Sequence, residues 1–179
     1  MKKIAAVALL SAVVSAPAFA ADEGFYAGIT LGSGKPGFGL AGATKTSQTI
    51  YGGLLGYQLN KNFAVEGAFT GVGEEQTAAG KVKADAFAVT AVGILPINNA
   101  FQLYGKLGAS SSKSASGVAG ATNATRTGIT YGIGAEYSVT PAVAIRAGVD
   151  VYPVAYTNAA NTTVKSNGNV MTVGAVFKF

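Results

Sequence analysis

The sequence contains no cysteine and no histidine among its 179 residues. The absence of cysteine excludes disulfide bonds and thiolate chemistry. The absence of histidine removes the commonest general base and the commonest metal ligand. After the N-terminal segment, no apolar run approaches the roughly 18 residues that a transmembrane helix needs. These absences predict a protein that is not an enzyme and that binds no metal and no cofactor.

The N-terminal segment predicts export. Residues 1–3 carry two lysines, residues 4–14 are apolar, and residues 18–20 read Ala-Phe-Ala. This order is typical of a cleavable secretory signal. We therefore predict a signal peptide over residues 1–20 and a single mature domain over residues 21–179. The net charge falls from +5 to +3 when the two lysines leave with the signal, which is too weak and too scattered to indicate nucleic acid as a partner.

The mature chain alternates between apolar and small or polar residues with a period of two. In one segment, Ile129, Tyr131 and Ile133 alternate with Thr130 and Gly132. This period indicates β-strands, and helical periodicity is not seen. Eight segments share the pattern: 24–32, 49–59, 63–70, 84–95, 100–109, 127–139, 142–152 and 169–179. Most are about ten residues long, which suits a tilted strand that crosses a bilayer.

The connections between these segments favour a membrane barrel. Alternation alone also fits a soluble secreted β-sandwich or a lipocalin-like binder. Long connections (33–48, 71–83, 110–126 and 153–168) alternate along the chain with short connections (60–62, 96–99 and 140–141), as in outer-membrane proteins. An even number of antiparallel strands lets the last pair with the first, so no unpaired edge remains in lipid. The predicted fold class is all-β, an eight-stranded antiparallel up-and-down transmembrane β-barrel.

Aromatic residues on the apolar faces mark one end of the predicted barrel. They fall beside the short turns or at the C-terminus, where they would form an aromatic girdle at one membrane interface. They are Tyr57, Phe63, Phe101, Tyr137, Phe177 and Phe179. The final segment supplies two of them and ends on an aromatic residue.

Several stretches resemble the transmembrane domain of the outer-membrane protein A family. The resemblance covers nearly the whole mature chain and runs in the same order along it. It is carried by Gly56-Tyr57-Gln58-Leu59-Asn60 with Phe63, Glu66 and Gly67, then Thr90-Ala91 with Pro96-Ile97, Tyr104, Lys106, Leu107 and Gly108, and finally Glu136-Tyr137, Thr140-Pro141 and Arg146. It implies an eight-stranded barrel with both termini in the periplasm and four surface loops. Members often carry a peptidoglycan-binding domain as well, and we expect the barrel domain only here.

Charged residues are expected inside the barrel, because the period of two points them away from lipid. They are Glu66, Lys106, Glu136, Arg146, Asp150 and Lys178. An eight-stranded barrel has room only for side chains, so these charges must pair. Four of them match positions of an interior network in the family, with Lys106 in place of an arginine and Val92 in place of a lysine. A structural plug of ion pairs is expected, and a conducting gate is the alternative.

The predicted function follows from this architecture. We expect a structural and surface-display protein whose four loops contact host molecules, other surfaces or neighbouring lipids, including lipopolysaccharide. A small, low-conductance pore is the alternative. The resemblance implies insertion by the barrel-assembly machinery after delivery by periplasmic chaperones. The predicted assembly signal is the outward stripe of the last strand: Met171, Val173, Ala175, Phe177 and Phe179.

The long connections are expected to be solvated. The third, with serines at 110–112, 114 and 116, is predicted to be polar and mobile. The acidic residues Glu74, Glu75 and Asp85 lie in or near the second connection. We interpret them as solvated loop residues, with a cation site as the alternative.

Overall fold

A computed structural model describes residues 23–38, 48–77, 80–117, 122–158 and 162–179. The predicted signal peptide lies outside this part of the chain. The described residues form eight β-strands: β1 (Gly24–Lys35), β2 (Gln48–Asn60), β3 (Phe63–Thr77), β4 (Gly80–Pro96), β5 (Phe101–Ser116), β6 (Ala124–Ser138), β7 (Val143–Thr157) and β8 (Thr163–Lys178).

The strands form a closed barrel in which each pairs with its neighbour along the chain. All pairs are antiparallel, and β8 closes the ring against β1, with Val173 opposite Leu31. The predicted fold class and the predicted number of strands are therefore confirmed. The described residues contain no helix that is long and apolar enough to cross a membrane.

The barrel has two distinct ends. At the turn end, β2 and β3, β4 and β5, and β6 and β7 are joined by short connections, and β1 begins and β8 stops there. Side chains cap these turns: the Asn60 Oδ1 atom accepts hydrogen bonds from the backbone N–H groups of Asn62 and Phe63, both at 2.9 Å. The other four junctions make up the loop end.

The outer face of the wall is apolar and exposed. Ile129 and Ile133 are each 71% exposed, and each lies one residue from a buried position on β6. Exposed large apolar side chains occur on all eight strands. A soluble sandwich would bury such a face, so this belt excludes that alternative. It suits a wall surrounded by lipid.

The strands run further toward the loop end than the sequence predicted. The predicted connections 71–83, 110–126 and 153–168 are largely strand: β3 and β4 are separated only by residues 78–79, and β5 continues to Ser116. The predicted mobile serines are thus an ordered part of β5, and Ser110, Ser112 and Ser114 are buried. The prediction failed because a strand beyond the membrane faces water, so its outer face need not be apolar and the alternation is lost.

Two of the eight ladders stop halfway to the loop end. The β2–β3 ladder ends at Gly52 and Thr70, and the β6–β7 ladder ends at Tyr131 and Val151. The ladders on either side continue almost to the loop end. Because the two openings lie four strands apart, the upper wall divides into two four-stranded sheets, one of β3 to β6 and one of β7, β8, β1 and β2.

Pro153 explains one of these openings. The carbonyl oxygen of Val151 accepts a hydrogen bond from the Thr130 hydroxyl of β6 at 2.7 Å. The backbone N–H and C=O groups of Val151 therefore point toward β6. Backbone groups alternate in direction along a strand, so residue 153 faces the same side. Proline has no N–H to donate there, and the ladder does not continue. A Cβ atom at Gly128 of β6 would lie 3.3 Å from the Pro153 ring.

The two sheets pack against each other and fill the upper barrel. An apolar layer joins them: Val72, Val82, Ala84, Ala86 and Ala88 from β3 and β4 meet Ile50, Tyr152, Val154 and Val170 from the other sheet, together with Phe38. Arg126 adds hydrogen bonds from β6 to the carbonyl oxygens of Val154, at 3.2 Å, and of Ser166. Small residues on β4 and β5 permit this close approach. The upper part therefore consists of two sheets packed face to face above a closed barrel.

Candidate functional site

An ion-pair chain of alternating sign crosses the interior below the apolar layer. It runs in the order Lys178, Glu136, Arg146, Glu66, Lys106 and Asp150. The six residues are those selected by period-two alternation in the sequence. With three cations and three anions the chain is neutral overall. It links five strands, β3, β5, β6, β7 and β8, through side chains alone.

Arg146 is the central member of the chain. Its Nη2 atom lies 2.9 Å from the Glu136 Oε2 atom, and its Nη1 atom lies 2.5 Å from the Glu66 Oε2 atom. Both carboxylate side chains are completely buried. The β6–β7 register places Glu136 directly opposite Arg146, so this contact is a cross-strand pair about the turn at residues 139–142. Glu66 reaches the same guanidinium from β3, across the barrel.

Lys106 and Lys178 complete the chain at its two sides. The Lys106 ammonium lies 2.9 Å from the Asp150 Oδ1 atom and 3.5 Å from the Glu66 Oε1 atom. The Lys178 ammonium lies 2.8 Å from the Glu136 Oε1 atom, and its side chain is 27% exposed. Gln102 donates a hydrogen bond to the same Glu136 oxygen at 2.9 Å. Every charge in the chain therefore has a partner of opposite sign, as buried charges require.

Two tyrosines belong to the site and were not selected from the sequence. The Arg146 guanidinium lies 5.3 Å from the ring centre of Tyr26 and 4.8 Å from that of Tyr104. The Tyr26 hydroxyl donates to the Glu66 Oε2 atom at 3.1 Å, and the Tyr104 hydroxyl donates to the Ala147 carbonyl oxygen at 3.2 Å. Tyr26 and Tyr104 occupy inward positions of their strands, so the period-two pattern could have identified them as partners of the charges.

Little free space remains beside the ion-pair chain. A cavity of about 20 Å³ lies among Glu66, Lys106, Arg146 and Asp150, with the Thr30 and Thr172 side chains on its wall. This volume suits about one water molecule. Val92, at the position where the resemblance implies an interior lysine, is the buried cross-strand partner of Lys106. Among the described residues, no three potential ligands are grouped so as to hold a metal ion.

Comparison with known proteins decides the family. The family model described as "Outer membrane protein beta-barrel domain" matches residues 6–179. The chain belongs to this family. It is a β-barrel of the bacterial outer membrane, with its apolar belt in lipid. No curated protein matches the sequence.

Solved outer-membrane barrels share the fold of this family member at low sequence identity. Neisserial surface protein A (NspA) is 16% identical, with 87% of this chain and 97% of that chain covered and a TM-score of 0.60. OprG from Pseudomonas aeruginosa is 15% identical, with 90% and 99% covered and a TM-score of 0.58. Ail, the attachment invasion locus protein of Yersinia pestis, was solved in complex with the heparin analogue sucrose octasulfate. It is 20% identical, with 87% and 99% covered and a TM-score of 0.53.

The C-terminal stripe of this outer-membrane barrel faces outward. Met171 is 63% exposed, Val173 is 53% exposed and Phe177 is 37% exposed, while Ala175 and Phe179 are half-buried. The Phe179 backbone N–H donates to the Phe25 carbonyl oxygen at 2.9 Å, so the last residue still takes part in the closing seam. An aromatic pair of Phe25 and Tyr57, with ring centres 4.8 Å apart, lies beside it.

The acidic residues near the second connection do not lie in a solvated loop. Glu74 and Glu75 are on β3 and buried, and only Asp85, on β4, is exposed. The Glu74 Oε2 atom forms ion pairs with the ammonium groups of Lys83, at 3.4 Å, and Lys81, at 3.9 Å. The Glu75 Oε1 atom accepts the Phe38 backbone N–H at 2.7 Å and so holds the segment after β1 over the apolar layer. The sequence prediction was wrong here because β3 contains a bulge at Val72, which changes the facing of the residues after it.

Proposed function

We propose that this barrel is a surface-display protein whose membrane part anchors the loop end outside the cell. The observation that carries the proposal is the filled interior. The ion-pair chain closes the lower half, and the apolar layer with Phe38 closes the upper half. The interior therefore supports a structural role, and the outer faces at the loop end remain for contact with partners.

The loop end is suited to contact with anionic partners. Among the residues that the structure describes, five exposed lysines occupy it: Lys35, Lys81, Lys83, Lys113 and Lys165. A group of like charges on one surface attracts molecules of opposite charge. Ail, which shares this fold, was solved with a sulfated heparin analogue. We infer that adhesion or surface interactions of the present protein take place at the loop end, with anionic surfaces, host molecules or lipopolysaccharide.

The orientation belongs to the same proposal. The start of β1 and the end of β8 lie at the turn end, which we place in the periplasm. We also propose that residues 1–20 are removed on export, that periplasmic chaperones deliver the chain, and that the barrel-assembly machinery inserts it. The sequence offers no histidine or cysteine for catalysis. We therefore propose a non-enzymatic role for this barrel.

Single-cysteine labelling tests the orientation, because the natural chain has no cysteine. Lys113→Cys places a thiol on the outer face at the loop end, and Lys61→Cys places one in the β2–β3 turn. A membrane-impermeant maleimide should label the Lys113→Cys variant in intact cells. It should label the Lys61→Cys variant only after permeabilisation. The reverse pattern would show that the loop end faces the periplasm.

Planar-bilayer recordings test the filled interior against a pore. The intact protein should show no single-channel current, because two successive layers of side chains close its lumen. Arg146→Ala should leave the recordings silent, since the apolar layer remains. Steady conductance by the natural protein would favour the pore, and conductance by the variant alone would show that the ion-pair chain is the main barrier.

A further inference from the structure

The opening between β2 and β3 forms a pocket in the outer wall. Its volume is about 250 Å³. It begins just above the end of the ladder at Gly52 and Thr70, where β2 continues with β1 and β3 continues with β4. The pocket is separate from the ion-pair chain, with which it shares no residue.

The lining of this pocket combines aromatic rings with hydrogen-bonding groups. Tyr51, 76% exposed, and Phe69, 54% exposed, supply rings at its rim. Gln48, Thr49, Lys83 and Asp85 supply an amide, a hydroxyl, an ammonium and a carboxylate. Sugars have apolar ring faces and a belt of hydroxyl groups, so a site for one needs both kinds of contact. The volume is below the usual range for drug-sized ligands and suits a single sugar unit.

The charge around the pocket favours an acidic sugar. Lys83 and Lys81 share the single carboxylate of Glu74, which leaves one excess positive charge beside the opening. Asp85 is opposite Lys113 in the β4–β5 register, so the carboxylate has a cation next to it. An anionic substituent near Lys83 would gain a charge-assisted hydrogen bond.

Gly71 keeps the pocket open. A Cβ atom at this position would lie 3.2 Å from the Ile50 Cγ2 atom and 3.7 Å from the Asp85 Oδ1 atom. A larger side chain would therefore occupy the space between β2 and β4. A bulge follows at Val72 and interrupts the regular course of β3 beside the opening.

We propose that the pocket between β2 and β3 binds a single sugar unit that carries a phosphate, sulfate or carboxylate group. This inference rests on the proposed display of the loop end outside the cell. Such a sugar reaches this site from two sources, the headgroup of a glycolipid in the same membrane or a soluble or foreign glycan. The exposed rings of Tyr51 and Phe69 place the opening at the height of an aromatic interface belt, within reach of both.

A fluorescent reporter can be built into the pocket, because the chain has no tryptophan. Phe69→Trp places the only indole at the rim. Phe87→Trp is the matched control: Phe87 is the cross-strand partner of Phe69, is 55% exposed and does not line the pocket. Both variants are folded in detergent micelles and titrated with glucose 6-phosphate, glucose or inorganic phosphate. A second series uses vesicles with and without lipopolysaccharide.

The tryptophan fluorescence of the Phe69→Trp variant should change with glucose 6-phosphate and reach saturation. With glucose alone or phosphate alone, the half-saturation concentration should be at least about tenfold higher. Lys83→Gln in this background should raise the half-saturation concentration by about tenfold, as expected when one charge-assisted hydrogen bond is lost. Lys165→Gln is the charge-matched control, because Lys165 is exposed on β8 and does not line the pocket, and it should change this concentration less than about twofold. A response to lipopolysaccharide vesicles, alone or in competition with the free sugar, assigns the site to a membrane glycolipid. A response to the free sugar only assigns it to a soluble glycan.

Three results would overturn the inference: no response to any acidic sugar, an equal response from the Phe87→Trp control, or an unchanged half-saturation concentration in Lys83→Gln. Equal binding of glucose would overturn the preference for an acidic sugar. These measurements use purified protein, whereas the maleimide experiment uses intact cells. Failure of the pocket and failure of surface display are therefore distinguishable.

Discussion

Glu136 and Arg146 face each other across the β6–β7 hairpin, and the Arg146 Nε atom donates to the Glu136 Oε2 atom at 2.9 Å. The same guanidinium also holds Glu66 of β3. One side chain therefore joins a local hairpin to a strand on another part of the wall. The arrangement ties the register of the hairpin to the closure of the barrel.

Arg146→Met should destabilise the barrel strongly. The variant leaves two fully buried carboxylates with one cation each, and breaking a buried pair costs about 3 to 5 kcal/mol. Lys178→Met is the control, because Lys178 is partly exposed at the end of the chain and should cost about 1 kcal/mol or less. Reversible urea unfolding in lipid vesicles measures both. Similar losses in the two variants would show that Arg146 is not the centre of the network.

Ile133→Lys should reveal which face of β6 meets lipid. The Ile133 side chain is outward and 71% exposed, and a cation near the bilayer midplane costs about 2 to 4 kcal/mol. Ile129 is equally exposed but lies nearer the loop end, so Ile129→Lys should cost about 0 to 1 kcal/mol. The same unfolding assay gives both values. A negligible effect at both positions would contradict the lipid-facing assignment.

Gly168→Ala should disturb the packing of the two upper sheets. A methyl group at Gly168 would overlap the Val72 Cγ1 atom and approach the Pro36 Cα atom at 3.2 Å. Overpacking of this kind costs about 1 to 3 kcal/mol. Gly93→Ala is the control, because its methyl group would point outward and meet nothing within 4 Å. If the two variants unfold at the same urea concentration, the sheets are not in close contact.

Phe179→Ala tests the assembly signal without removing the backbone hydrogen bond to Phe25. If the assembly machinery reads the terminal aromatic ring, the variant should reach the outer membrane poorly but refold well from urea into detergent. If Phe179 is instead only one more partly buried apolar residue, it contributes at most about 1.5 to 3 kcal/mol to the free energy of unfolding. The level in the outer membrane and the refolding yield in detergent should then fall together. Normal levels of the variant in the outer membrane would exclude a signal at this position.

The membrane part of the fold could be predicted because lipid imposes a strict pattern. In residues 127–139 every second side chain must be apolar, and the same parity places Glu136 inside. The upper strands follow no such rule. Ser110, Ser112 and Ser114 face a second sheet, while Ser111 and Lys113 face water. Both faces of this strand are therefore polar, and the sequence looks like a loop. The division of the wall depends on contacts between distant strands. Pro153 is a local signal of the opening between β6 and β7.

The β2–β3 and β6–β7 ladders, which end halfway up the wall, also limit the thickness of the hydrocarbon layer that can surround this protein. Strand edges beside the openings have no neighbouring ladder, and lipid cannot supply hydrogen bonds to their backbone groups, so hydrocarbon must end below them. From the turns to the openings, the ladder segments 52–60, 63–70, 131–138 and 144–151 have eight or nine residues each. At a tilt of about 40° they rise roughly 20 to 23 Å, close to the roughly 25 Å apolar band of outer-membrane barrels. A thicker bilayer would have to thin around the barrel or expose the edges of β2, β3, β6 and β7 to acyl chains.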